Sequence, residues 1–330
     1  MSLIHRLQGT VTENASFTFF RPRQKWHLRT WCRALSANAA AYRRIRCAVP
    51  TRTADGRYHI SLCLMFKDEA PYLREWIEYH RMVGVDHFYL YDNNSSDGFE
   101  SVIAPYLESG VATLIRWPKD HAQVEGYEDC IRRFQEENDW IGFIDIDEFV
   151  VPVAEESLVT FLDHFAGRPA VLIYWRFFGS GGMLERDVSR LVTEDFTVAS
   201  EKLYNKGKCF FNCHFDYLFD SPLNKSMFHY LWTVSDGRPL PPVNMFGRTT
   251  VENWHPATRK KIPVQLNHYA VKSLAEHRQK DLKGDVYYDH PTHNDRVFFG
   301  RDRRCSVPDF RIQRYVAELK LRLRQLPDTR

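Results

Sequence analysis

The string FIDIDEFVVP, residues 143–152, sets Asp145, Asp147 and Glu148 directly behind an apolar run. In an extended chain, side chains at i and i+2 share a face, so Asp145 and Asp147 are expected side by side. Two carboxylates on one face repel unless a cation neutralises them. Hard divalent ions such as Mn2+ and Mg2+ take oxygen ligands and keep positions open for phosphate oxygens. A D-x-D turn after a strand therefore points to a metal-held nucleotide diphosphate. The apolar neighbours Phe143, Ile144, Phe149, Val150 and Val151 place it at a strand end. The competing expectation is a helix N-cap with surface acids.

A second cluster lies downstream in VQLNHYAVKS, residues 264–273. His268 closes an apolar stretch, and a neutral imidazole there can complete a manganese shell. Lys272 follows one helical turn later, at a spacing that lets its ammonium meet diphosphate oxygens.

The elements that must position these groups alternate. YHISLCLMF (58–66) reads as a buried strand, and PYLREWIEYHRMVG (71–84) as a helix with Pro71 in its first turn and Gly84 as its stop. A strand at 86–92, a helix at 99–107, a strand at 111–117, a helix at 123–138 and a strand at 140–145 follow. This order predicts an α/β protein with a mostly parallel, Rossmann-type sheet flanked by helices. The polar tails KDEA, DNNSSD and DIDE each follow a strand, so all three should open onto the carboxyl edge where such sheets bind ligands. Four regions are expected: a basic helical arm (1–56), a half that binds the nucleotide diphosphate (57–178), a less regular half with His268 that shapes a substrate cleft (179–300) and a basic C-terminal helix (301–330). The boundary at 178 is soft, without a true linker.

Composition narrows the class. With 330 residues and 44% hydrophobic content, the chain can bury a sizeable core. Residues 1–50 hold nine Lys/Arg against one Glu, and residues 301–330 hold nine against four Asp/Glu. The intervening 27 Lys/Arg and 37 Asp/Glu leave a middle of net charge −10, which disfavours nucleic acid and suits cations. The terminal helical patterns, Leu28–Trp31–Leu35–Tyr42–Ile45 and Ile312–Val316–Leu319–Leu323–Leu326, have basic opposite faces. They read as helices docked on the main domain or lying on an anionic membrane face. Neither an apolar secretory leader nor a run of about 20 apolar residues is apparent, so a cytoplasmic chain is expected, with peripheral contact at the inner membrane face as the alternative. The seven cysteines read as reduced residues; Cys209, Cys213 and His214 form a C-x3-C-H string without a second pair.

At this point the chain resembles the family 92 glycosyltransferases, relatives of family 2 with the GT-A fold. The resemblance rests on KDEAPYLREWIEYHRMVGVDHFYLYDNNSSD, QVEGYEDCIRRFQEENDWIGFIDIDEFVVP, WRFFGSGG and LNHYAVKSLAEHRQKDLKGD, in order from about residue 60 to 285. It implies a nucleotide-sugar donor, a UDP-sugar foremost, held through Mn2+ or Mg2+, and transfer with inversion to a glycan or glycolipid hydroxyl. It makes Asp147 the direct metal ligand, Asp145 a ligand of metal or ribose, and His268 the late metal-binding histidine. Lys67, Glu69 and Asp92 match residues bordering the nucleoside. A polysaccharide or lipopolysaccharide acceptor is the expectation. A carboxylate must take the acceptor's proton. Glu148, Glu185, Asp187, Glu194 and Asp195 are candidates, with Glu194 and Glu148 foremost because both lie in matched segments. Two other classes stay open: a nucleotidyltransferase, although KDEAPYL lacks the glycines its phosphate loop needs, and a non-catalytic carbohydrate-binding module, which leaves the acids and His268 unexplained.

Overall fold

A computed structural model describes residues 17–18, 40–41, 43–224, 228–248, 255–256, 261–283 and 294–326. In Tyr58–Phe66 (β1) the last seven residues are all buried, as a strand covered on both faces requires. His87–Asp92 (β2), Ala112–Arg116 (β3) and Asn138–Phe143 (β4) run parallel to it in the order β3-β2-β1-β4. Helices Ala70–Met82 (α1), Phe99–Glu108 (α2) and Gln123–Phe134 (α3) make the crossovers. Pro71 sits in the first turn of α1, where its missing N–H costs nothing, and Gly84 ends the turn beyond it at φ +106°.

The same sheet continues through the second half. Beyond β4 come Gly207–Asn212 (β7), Ala170–Phe177 (β6), Val264–His268 (β9) and Glu148–Pro152 (β5), giving the order β3-β2-β1-β4-β7-β6-β9-β5, with Val243–Asn244 (β8) beside β6. The mostly parallel α/β plan is thus found, and the soft boundary near 178 falls inside one continuous sheet. β7 is antiparallel to both β4 and β6, and β5 is antiparallel to β9. Because β4, β6 and β9 point the same way, residues after β4 and at the end of β9 share one edge.

Two expected boundaries shift. The helix predicted over 123–138 ends at Phe134, followed by a 3-10 turn at Gln135–Glu137. The cause is Asn138, whose buried amide donates to the Phe134 carbonyl at 2.6 Å and to Tyr89 Oη at 2.9 Å, so the strand starts there. The last strand stops at Phe143, leaving the acidic string in a turn.

Helix Gln313–Gln325 (α7), the expected C-terminal helix, buries Ile312, Val316 and Leu319 and sets Tyr315 edge-on to Tyr79 of α1, 5.6 Å between ring centres. Most of the N-terminal helix predicted over 26–46 lies outside the described residues. Residues 40–41 and 43–47 are helical, and Ala41 and Ile45 are buried. Among the described residues no helix is long and apolar enough to cross a membrane. The described cysteines are free thiols; Cys209 and Cys213 are buried, and His214 bonds Asp139 at 2.9 Å.

Gly207 opens β7 with its backbone pressed on β6. A Cβ there would stand 1.8 Å from the Ile173 carbonyl oxygen. Gly207→Ala must part the two strands, and a loss of at least about 3 kcal/mol in urea unfolding is expected, the range of severe backbone and packing lesions. An unchanged urea midpoint would show that the contact yields freely.

Candidate active site

The acidic turn is built from backbone bonds before its side chains do anything. Glu148 N–H donates to the Asp145 carbonyl at 3.0 Å, and Asp145 N–H donates to Glu148 Oε2 at 3.0 Å. Trp76 of α1, fully buried, donates its indole N–H to the Asp145 and Glu148 carbonyls at 3.1 and 3.0 Å. β9 then closes on the turn: His268 pairs in register with Glu148, and Tyr269 N–H donates to the Asp147 carbonyl at 2.9 Å.

The turn separates the two aspartates that an extended chain would have left on one face. Asp145 faces Lys208 of β7, with Nζ 3.0 Å from Oδ2, and accepts from Gln123 and Tyr127 of α3 at 3.2 and 3.3 Å. Asp147 is 2% exposed. Its Oδ2 accepts from Lys280 Nζ at 2.8 Å, and its Oδ1 lies 3.5 Å from His268 Nε2. Lys280 belongs to helix Leu274–Lys283 (α5), which follows β9 directly.

The electrostatics follow from burial among cations. Burial alone would raise the Asp147 pKa, but Lys280, His268 and Lys272 outweigh it and hold the carboxyl well below its ordinary range. His268 is pulled down by burial against the opposing pull of Asp147, which favours a neutral ring. Its Nδ1 is buried without a hydrogen-bond partner. Lys272, at φ +48°, lays its ammonium 3.6 Å over the Tyr72 ring. Burial lowers its pKa, opposed by Glu69 and Asp147. Arg301, in helix Asp295–Asp302 (α6), is likewise lowered by burial and drawn back by Asp147.

A neutral imidazole beside an ionised carboxylate is a donor pair suited to Mn2+ or Mg2+. Among the described residues no three His, Cys, Asp or Glu side chains gather as a metal set. Among the described residues Asp147 and His268 are the donors brought together here, and further positions could fall to phosphate oxygens and water.

The remaining sequence candidates scatter. Glu69 is buried where α1 begins and acts electrostatically on Lys272 and Lys280. Lys67 is half-buried just after β1. Asp92 is buried, with Arg116 at 2.7 Å and the Ser95 N–H at 2.9 Å, so it closes its own loop. Glu148 is wholly buried; its Oε1 accepts from Trp175 Nε1 at 2.6 Å. Burial and then the neighbouring Asp145 push its carboxyl well above the usual range, toward the neutral form, and its complete burial leaves no face open to an acceptor hydroxyl. Glu194 sits on the short helix Val192–Asp195, 2.6 Å from Lys320 of α7. Sequence reading missed Lys208, Lys280 and Arg301. The usable signal for Lys208 was a single lysine inside an apolar strand, since a buried lysine demands a partner.

The comparisons with known proteins concern the family and not the geometry of this site. The model of Glycosyltransferase family 92 matches residues 57–214. Residues 57–214 thus carry the sequence pattern of a family 92 glycosyltransferase domain. The chain is 36% identical over 115 residues to a glycosyltransferase family 92 protein of Oryza sativa subsp. japonica, covering 34% of this chain and 20% of that one. It is 41% identical over 95 residues to one of Arabidopsis thaliana, covering 28% and 16%. A galactan β-1,4-galactosyltransferase of Arabidopsis thaliana is 29% identical over 108 residues, covering 29% and 22%. The chain spans about a fifth of the length of these curated relatives. Among solved structures, S. aureus TarS 1–349 superposes with a TM-score of 0.36 at 9% identity, covering 68% of this chain and 65% of that one.

Glu276 anchors α5 and so sets where Lys280 stands. It accepts from Tyr72 at 2.8 Å, Ser273 at 2.5 Å and Arg186 at 2.9 Å. Burial opposes its charge, but Arg186 and Ser273 prevail and hold its pKa at about 2. A depressed folded pKa stabilises above the unfolded value near 4.5, and that stability fades as pH falls toward 2. Glu276→Gln should therefore cost about 3 kcal/mol at pH 7, with the gap to wild type closing between pH 4.5 and 2 in urea titrations. A gap independent of pH would contradict the assignment.

Proposed function

We propose that this chain transfers a sugar from a nucleotide-sugar donor, a UDP-sugar in our reading, to a hydroxyl of a glycan or glycolipid, with inversion. The observation that carries the proposal is the Asp147–His268 pair at the carboxyl edge of the sheet, ringed by Lys272, Lys280 and Arg301. A carboxylate–imidazole pair answers to a divalent ion, and converging cations answer to a diphosphate.

Asp147 and His268 would hold Mn2+ or Mg2+, which supplies Lewis-acid stabilisation of the departing diphosphate. Lys272 and Arg301 contribute fixed positive charge at the same place, in surroundings where burial strengthens it. Asp145, turned toward Lys208, is left to the nucleoside side of the cleft. The acceptor's proton must go to an exposed carboxylate within reach. With Glu148 buried and Glu194 held by Lys320, we assign that role to Glu185. It is exposed in the loop whose neighbouring residues Met183 and Leu184 accept from the first N–H groups of α5.

A panel of nucleotide sugars with Mn2+, read as diphosphate release, tests the reading; UDP-galactose comes first because galactan galactosyltransferases are among the relatives. Asp147→Ala should abolish release, and His268→Ala should lower it at least about a hundredfold. Wild-type turnover by Asp147→Ala would end the proposal. Glu185→Gln should lower transfer by about 10²-fold or more while leaving donor affinity intact, the signature of a lost base.

A further inference from the structure

We propose that Lys280 is a place-holder on Asp147: its ammonium must leave the carboxylate when the divalent ion arrives, and it then engages the diphosphate, so that ion and nucleotide bind as a coupled pair. This rests on the function proposed above.

Asp147 is 2% exposed, and a buried carboxylate without a partner is strongly unfavourable. Lys280 meets that need at 2.8 Å, closer than any other cation recorded at this carboxylate. The same oxygens are those an ion would take. Ammonium and divalent ion cannot both stay on one carboxylate without strong like-charge repulsion.

The surrounding cations differ in their freedom to move. Lys208 is wholly buried between β4 and β6 and held by Asp145. Lys272 is buried over Tyr72. The Lys280 side chain is 34% exposed, on an unbranched stem of a helix anchored at its other end by Ser273 and Glu276. It alone combines a direct bond to Asp147 with room to swing, and a diphosphate carried by the ion gives it a new anion. Competition for Asp147 weakens the ion's binding when nucleotide is absent, and nucleotide removes the competitor. By linkage, each ligand then raises the other's affinity by the same factor.

The test measures Mn2+ affinity of the full chain by titration calorimetry, with and without saturating UDP, for wild type, Lys280→Met, Lys280→Gln and Lys280→Arg, with thermal unfolding confirming the fold. In wild type, UDP should raise Mn2+ affinity. Lys280→Met and Lys280→Gln should bind Mn2+ alone about tenfold tighter than wild type and lose about tenfold of the gain from UDP, within the usual range of coupling factors. Lys280→Arg, which keeps the charge, should behave as wild type, an outcome a merely structural role would not give. Equal or weaker Mn2+ binding by the two neutral variants overturns the inference while leaving the metal reading in place. Wild type and Asp147→Ala binding Mn2+ alike in every condition would overturn the metal reading, and this inference with it.

Discussion

The site depends on keeping one carboxylate ionised where water scarcely reaches. Asp147 is nearly sealed from solvent, and burial works against its charge. What overcomes burial is proximity to Lys280, His268 and Lys272, all supplied by one stretch of chain far away in sequence. Each comes from the segment that begins at β9, so the register of β9 against β5 is the structural condition for the charge. A slip by one residue would turn His268 away from the turn and move α5 with it. The aromatic packing of α1 serves the same end, since Trp76 and Tyr79 bond backbone carbonyls of the turn and of β5.

The inserted strand β7 solves the matching problem for Asp145. An antiparallel strand between two that run the other way carries Lys208 into the sheet's interior, where only a partner of opposite charge makes it tolerable. Asp145 is that partner, and the pairing draws it off the face it would have shared with Asp147. The two acids consequently serve different neighbours. One is committed to the protein's own lysine, and the other is backed by a neutral imidazole and a displaceable ammonium.

Much of this was legible in the sequence, for physical reasons. β1 has the predicted bounds 58–66, and the helices and strands through 143 lie close to where apolar periodicity put them, because each buries a regular face. The loops after β1 and β2 meet as expected, with Asp68 accepting from Ser96 N–H at 2.6 Å. The pairing of Asp147 with His268 was within reach because each stands directly behind an apolar run in the sequence. What was not legible is set by tertiary closure. The rule that put Asp145 beside Asp147 holds for extended chain, and the chain turns at that place. β7 hides its strand character behind an opening glycine and a charged residue. Glu148 looks like an available acid in the string, but the register that pairs it with His268 also buries it. Lys280 and Arg301 carry no local mark, since nothing in a helix's own pattern says which remote carboxylate it will meet.

Counting charge at the site suggests why so many cations gather there. Lys208, Lys272, Lys280 and Arg301 stand against Asp145, Asp147 and Glu69, while Glu148 is driven toward its neutral form. The protein alone thus leaves roughly one positive charge in excess. A divalent ion, if bound as proposed, would bring the total to about three. A sugar nucleotide carries about two negative charges, and the departing nucleoside diphosphate about three once its terminal phosphate is free to ionise. The site is then closer in charge to the leaving group than to the intact donor. Binding that strengthens as the bond breaks accelerates the chemistry, whereas equal grip on both states would only tighten the substrate. Residues that appear excessive for holding a donor are in this account matched to releasing one.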